Sequence, residues 1–135
     1  MLKNYRPVSN LLFVGKLIER VVSIQLNHHM SINNLHSSSQ FGYKKGHSTE
    51  TLLLKVIDNL LDNCDKQIPS ILMLLDLSAA FNTVDQTKLL SILKEEIGIG
   101  GTALKWFHSF LKGRTQKVKI RNAYSSESSL LYGVP

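Results

Sequence analysis

Hydrophobic and polar residues change their spacing several times along the chain, and each change marks an element. From Leu12 to Met30, Leu17, Val21, Ile24 and, at the margin, His28 recur at intervals of three and four residues, with Lys16, Glu19, Arg20 and Gln25 mostly elsewhere. That spacing predicts a helix with one buried stripe, its start blurred by Gly15. Residues 1 to 10 form an extended lead-in, since Pro7 pushes Arg6 out of the helical region. Residues 31 to 48 are polar and loop-like, with Ser37-Ser38-Ser39 followed by Gly42, Lys44, Lys45 and Gly46. A second helix follows. Ser48 is its N-cap and Glu50 stands in the first turn, where the helix dipole favours an acid. Leu53, Val56, Ile57, Leu60 and Cys64 form its predicted buried stripe, and Asp65-Lys66-Gln67 with Pro69 end it.

Ile71-Leu72-Met73-Leu74-Leu75 is a continuous apolar run, which predicts a central strand covered on both faces. It stops at Asp76. Residues 77 to 85 turn tightly, and Asp85 caps a third helix to about Ile97, with Leu89, Leu90 and Leu93 on its buried side. Gly98, Gly100 and Gly101 break the chain before a fourth helix, whose core residues are Ala103, Phe107, Phe110 and Leu111, with Trp106 on the flank. From 115 to 121 the pattern alternates: Gln116, Val118 and Ile120 on one face, Lys117, Lys119 and Arg121 on the other, a strand with a basic face. Residues 122 to 126 turn into a further strand at 129 to 132, and Gly133-Val134-Pro135 ends an α+β pattern abruptly, as a fragment would.

Charge adds a partner class. Lys plus Arg number 16 against 10 for Asp plus Glu, a net +6, and such a surplus favours nucleic acid or an acidic membrane surface. The 135 residues, 43% apolar and 19% charged, are ordinary globular composition for one domain or a piece of one. A single cysteine, Cys64, excludes a disulfide framework and a Cys-rich zinc module. No apolar run approaches the ~20 residues of a membrane span, and the N-terminus lacks a signal-peptide layout. The expectation is an intracellular protein, nuclear or cytoplasmic, with no membrane partner.

Asp76 is the sharpest candidate for chemistry. A carboxylate that ends a buried strand and opens a tight turn can present a hard-metal ligand at a sheet edge; equally, it can cap a short helical turn at 78 to 81. One carboxylate does not make a metal site. The loop Gln40-Phe41-Gly42-Tyr43-Lys44-Lys45-Gly46-His47 mixes glycine, cations and aromatics, suited to phosphates or base faces but also to plain solvation. It lacks P-loop spacing. The five histidines show no zinc spacing with Cys64. Arg114, Lys117, Lys119 and Arg121, with Lys112 before them, can track a phosphate backbone or form a solvated strand face.

Four ordered blocks carry a resemblance: Asn4-Tyr5-Arg6-Pro7-Val8-Ser9-Asn10; Gln40 to Thr51; Leu74-Leu75-Asp76-Leu77-Ser78-Ala79-Ala80-Phe81; and Trp106-Phe107 with Arg114-Thr115-Gln116. Together they resemble the reverse transcriptase of non-LTR retrotransposons, the LINE type with jockey-like and CR1-like members. The resemblance implies an incomplete right-hand polymerase fold: helical fingers over 1–70 and the first part of the palm sheet over 71–135, cut before a Gln-Gly segment and an aromatic-x-Asp-Asp hairpin. It implies Asp76 as a catalytic carboxylate and metal ligand, with the Leu77 backbone carbonyl as a further metal contact. Arg6, Lys44 and the amides of Ala79 and Ala80 would face the incoming triphosphate, and Phe81 would stand at the steric gate against a ribose 2′-hydroxyl. The complete enzyme would use Mg2+ or Mn2+, two ions about 4 Å apart, with an RNA template, a DNA primer and deoxynucleoside triphosphates. Asn82, where relatives usually carry aspartate, and Lys44, where many carry arginine, depart from the pattern.

With Asp76 as its only catalytic carboxylate, the chain is expected to bind no metal tightly and to extend no primer. An exposed palm edge would favour self-association. Two other functions fit the same residues: a nucleic-acid-binding remnant using the basic strand, and a helical interaction module using the Leu53 to Cys64 stripe.

Overall fold

The computed structural model describes residues 8–77 and 79–134. In chain order it contains α1 (Phe13–Ile32), α2 (Thr49–Asp65), a short 3-10 helix (Ala80–Thr83), α3 (Gln86–Glu95), α4 (Gly101–Leu111), β1 (Thr115–Gln116), β2 (Lys119–Ile120), β3 (Ala123–Tyr124) and β4 (Ser128–Ser129). Contacts divide the chain into two compact units: Ser31–Asp76, and a larger one formed by residues up to Met30 together with those from Leu77 onward.

The larger unit is organised by the packing of α3 on α4. Asp85 starts α3 as its sequence predicts: one carboxylate oxygen accepts from the Thr87 amide at 2.8 Å and the Lys88 amide at 3.1 Å. Helix ends leave such amides without partners, so an acid here satisfies two of them. Beyond the helix end Gly98 adopts a φ of +75°, and the Ile99 amide reaches back six residues to the Leu93 carbonyl at 2.8 Å. Ile99 is thereby folded inward beside Leu93 and Leu111, the buried apolar residues of the unit. On α4, Trp106 stacks on Phe110 at 4.9 Å and meets Phe107 edge-on at 5.1 Å, all three half-buried. Ala103, expected in the core, is exposed.

Helix α1 forms where the pattern places it, but a different face is shielded. Leu17, Val21 and Ile24 are exposed, whereas Glu19, Val22, Leu26, His29 and Met30 are half-buried. Two residues of offset turn a helix by more than half a revolution, and Val22, Leu26 and Met30 supply an apolar alternative that periodicity could not rank. The His29 Nε2–H donates to the Ile97 carbonyl at 2.8 Å, tying α1 to the end of α3.

After α4 the predicted basic strand is present in two short pieces. β1 pairs antiparallel with β4, Thr115 opposite Ser129, and β2 pairs with β3, Lys119 opposite Tyr124. The β2–β3 turn places Arg121 at φ +54°. Between the pieces, Val118 exchanges bonds with Ser125: its amide donates to the Ser125 Oγ at 3.0 Å, and its carbonyl accepts the Ser125 amide at 2.9 Å. The hydroxyl takes the place of a ladder carbonyl, so the ladder breaks there.

In the smaller unit, Ser48 caps α2 through a capping box: its Oγ accepts the Thr51 amide at 3.3 Å while its amide donates to the Thr51 Oγ1 at 2.9 Å. The stripe expected to be buried is not. Leu53, Ile57 and Cys64 are exposed, with Val56 and Leu60 half-buried.

The largest departure is Ile71 to Leu75. It forms no strand, and Ile71, Leu74 and Leu75 are 94%, 84% and 86% exposed. A buried strand needs neighbours on its edges and cover on its faces; the strands among the described residues pair only with one another, at 115–116 with 128–129 and 119–120 with 123–124. The palm sheet expected around this segment is therefore absent among the described residues. No helix among them is long and apolar enough to cross a membrane.

Candidate functional site

Asp76 and Leu77 are both exposed, and the chain turns at Ala79. Ala79 adopts φ +54° and ψ +39°, left-handed backbone that is uncommon for a residue with a Cβ. It is the N-cap of the 3-10 helix and provides no side-chain cap. Phe81 lies within the 3-10 helix with its side chain more than half exposed.

That turn is held by distant backbone. The Gly133 amide donates to the Val84 carbonyl at 2.8 Å, and the Val134 amide to the Phe81 carbonyl at 3.1 Å. Gly133 is buried and adopts φ +88°. A Cβ on it would stand 3.0 Å from the Asn82 Cα and carbonyl oxygen and 3.1 Å from the Phe81 carbonyl oxygen. Glycine is favoured on two counts, by its φ and by this close approach. Gln86, 2% exposed, donates its amide N–H to the Gly133 carbonyl at 3.0 Å. Sequence reasoning misses Gln86 and Gly133 as site residues because the pairing spans 47 positions and neither belongs to a periodic pattern.

Lys112, Gly113, Arg114, Thr115, Ser129, Leu130 and Leu131 join Gln86 around a cavity of about 240 Å3. The Lys112 Nζ donates to the Thr87 Oγ1 at 2.7 Å, and Arg114 lies over the Phe110 ring at 5.3 Å while donating to its carbonyl at 3.3 Å. Of the other predicted cations, Lys117 pairs with Glu127 at 3.2 Å, Lys119 lies 5.1 Å from the centre of the Tyr124 ring, and Arg121 occupies the β2–β3 turn. All of them belong to the larger unit. The Thr115 hydroxyl, and then Lys117, hold the Glu127 carboxyl below its ordinary range. The Lys88 and Thr87 amides do the same for Asp85, with Lys112 adding to the effect.

Lys44 lies in the loop before α2, half-buried, its carbonyl accepting the His47 amide at 3.2 Å. That loop encloses a cavity of about 320 Å3 lined by Phe41, Gly42, Tyr43, His47, Ser48, Thr49 and Leu52. Phe41 meets His47 edge-on at 5.0 Å and carries the Lys55 ammonium at 5.5 Å from its centre. Arg6 lies outside the described residues, as does Ser78.

Among the described residues no group of three or more His, Cys, Asp or Glu is placed to hold a metal ion. Hard divalent cations take six or more oxygen ligands, and Mg2+ on phosphates uses at least one or two carboxylates. Asp76 offers one of these.

In chain order, an acid and a small-residue turn precede a short helix, and a basic hairpin follows. Residues 2–135 match the reverse transcriptase (RNA-dependent DNA polymerase) family, and the chain belongs to that family. Its relatives include the probable RNA-directed DNA polymerases from transposon X-element and transposon BS of Drosophila melanogaster, each 29% identical over 98% of this chain. The RNA-directed DNA polymerase from mobile element jockey of Drosophila funebris is 27% identical over the same share. The chain spans 14% of the length of these relatives. No solved structure matches it. Membership implies use of a divalent metal in the complete enzyme.

Proposed function

We propose that this chain forms part of the nucleotide end of a non-LTR retrotransposon RNA-directed DNA polymerase, with fingers over 1–70 and the start of the palm over 71–135. The family match over residues 2–135 carries this reading, because it takes in Asp76 and the turn that follows it. Asp76 would supply one oxygen ligand to a divalent ion, joined by the Leu77 carbonyl, and such an ion needs further ligands besides these two. Bound there, it would supply Lewis-acid stabilisation of phosphate charge. The chain's own residues position the nucleotide. Arg6 and Lys44 offer charge to the triphosphate, the Ala79 and Ala80 amides donate to it, and the Phe81 ring excludes a ribose 2′-hydroxyl. The left-handed backbone at Ala79 and the exposure of Phe81 support the parts given to these two residues. Arg114, Lys117, Lys119 and Arg121 hold template or primer phosphates.

The test is a titration of the labelled chain with Mn2+ and a deoxynucleoside triphosphate, followed by NMR. Line broadening centred on residues 76 to 81, and abolished by Asp76→Asn, is the expected result. Broadening spread over other carboxylates and unchanged by that substitution overturns the assignment. Primer extension with Mg2+ should show no incorporation above an Asp76→Ala control.

A further inference from the structure

Gln86 is among the most buried residues described, and it is polar. Burying an amide side chain costs free energy unless its hydrogen bonds are replaced. Here the amide N–H is spent on a single backbone carbonyl, that of Gly133. The residue so held is not an ordinary loop position. Its own amide and the next one grip the Val84 and Phe81 carbonyls, at the two ends of the segment containing Phe81, Asn82 and Thr83. Three bonds therefore link two stretches of chain that lie far apart in sequence: Gln86 to Gly133, Gly133 to Val84, and Val134 to Phe81.

The arrangement has a direction of action. A 3-10 helix of four residues starting from a left-handed alanine is weak by itself, with poor bond geometry and no side-chain cap. The Gly133–Val134 backbone supplies what that turn lacks. Gly133 in turn needs a constraint, because glycine is the residue with most conformations to lose. Gln86, anchored in the first turn of α3 next to the Asp85 cap, is that constraint. We propose that Gln86 is a positioning residue: through Gly133 and Val134 it sets the backbone of Phe81, and so the place of the Phe81 ring that discriminates the nucleotide sugar. The last clause rests on the function proposed above; the positioning of Phe81 does not.

The experiment separates the two. Amide exchange is measured by NMR on the whole chain, first without substitution. Gly133 and Val134 should be protected, although they lie close to the chain end; unprotected amides there overturn the proposal outright. Gln86→Met keeps the length of the side chain and Gln86→Leu much of its bulk, and both remove the hydrogen-bond donor. Both should speed Val134 exchange by roughly tenfold or more, as loss of one buried hydrogen bond implies. Both should also shift the Phe81 ring resonances, with the Leu93 and Leu111 amides staying within about threefold of their original rates. If Gln86 merely fills space, Gln86→Met leaves Val134 and Phe81 unchanged, which overturns the proposal. A fold lost in both variants leaves the wild-type protection at Val134 to decide.

A titration with dTTP and with its ribose counterpart then tests the sugar step. Preference for the deoxy form in the wild-type chain should fall toward unity in Gln86→Met. Equal preference in both proteins overturns the discriminating role. If neither nucleotide perturbs Phe81 in the wild-type chain, the nucleotide-site function fails, while the exchange data still decide whether Gln86 positions the turn.

Discussion

Replacing Gly133 by alanine probes the same junction from its tightest point, and the structure sets the size of the effect. Two costs apply. The first is conformational: a φ of +88° is backbone that a residue with a Cβ adopts at a cost of about 1–2 kcal/mol. The second is steric. The new methyl would stand 3.0 to 3.1 Å from three backbone atoms of Phe81 and Asn82, closer than ordinary van der Waals contact. Backbone held by its own hydrogen bonds yields poorly, and overpacking of this kind costs about 1–3 kcal/mol. Gly98→Ala is the natural control. Its φ of +75° carries the first cost, but nothing lies within 4 Å of its Cβ, so the second is missing. The difference between the two variants should be about 1–3 kcal/mol, which is about 5- to 150-fold in the local opening equilibrium. Native-state hydrogen exchange reads this at residues 82 to 86 and 134, and urea unfolding reads any global share. If Gly133→Ala and Gly98→Ala agree to within about 0.5 kcal/mol, the close approach is wrong, and so is the reasoning that glycine is needed at 133 for space.

Leu111→Ala, at a site 3% exposed between α3 and α4, should cost about 2–5 kcal/mol in urea unfolding, whereas Leu74→Ser at 84% exposure should stay within about 0.5 kcal/mol. Because its folded pKa is depressed, the Asp85 cap stabilises α3 above the ordinary aspartate range and loses that contribution as pH falls through the depressed value. Exchange protection at Thr87 and Lys88 should decline with acid in the wild-type chain and remain flat in Asp85→Asn. If the basic hairpin binds single-stranded RNA, the slope of log K against log salt should be negative. Neutralising Lys117, Lys119 and Arg121 together should reduce that slope by up to about 2, at ~0.7 per phosphate contact. The exposed segment from Ile71 to Leu75 should drive concentration-dependent association, and Leu72→Lys with Leu74→Lys should suppress it in sedimentation.

The parts of the fold that could be read from the sequence are those decided within a turn or two of chain. Ser48 and Asp85 announce their helices because a cap satisfies amides two and three residues away. Gly98 announces a stop because its left-handed φ is a local need. What could not be read depends on distant partners. Ile71 to Leu75 has the composition of a buried strand, yet a strand exists only in a ladder, and no described segment offers it an edge. On α1 the periodicity is right and the face wrong, since Val22 and Leu26 compete with Leu17 and Val21 for the same role. Val118 does lie within an alternating segment, but the Ser125 hydroxyl that interrupts the ladder leaves no trace in that alternation.

The candidate site divides along the same line. The block from Leu74 to Phe81 is contiguous, so its residues could be named from sequence, and the turn at Ala79 to Thr83 forms where they predict one. The residues that fix this turn are neither contiguous nor chemically conspicuous. Gln86 looks like any polar residue in a first helical turn, and Gly133 like one glycine among the eight in the chain. Their importance comes from burial and from pairing across 47 positions, which only folding creates. The two kinds of residue differ in what they supply. Chemistry needs particular atoms in a particular order, so it writes a motif. Positioning needs only one donor at one place, so it can be met by a residue that carries no motif at all. The segment from Asp76 to Thr83 therefore combines exposed side chains with a backbone held by a buried, hydrogen-bonded anchor, and the second of these is the part that sequence does not announce.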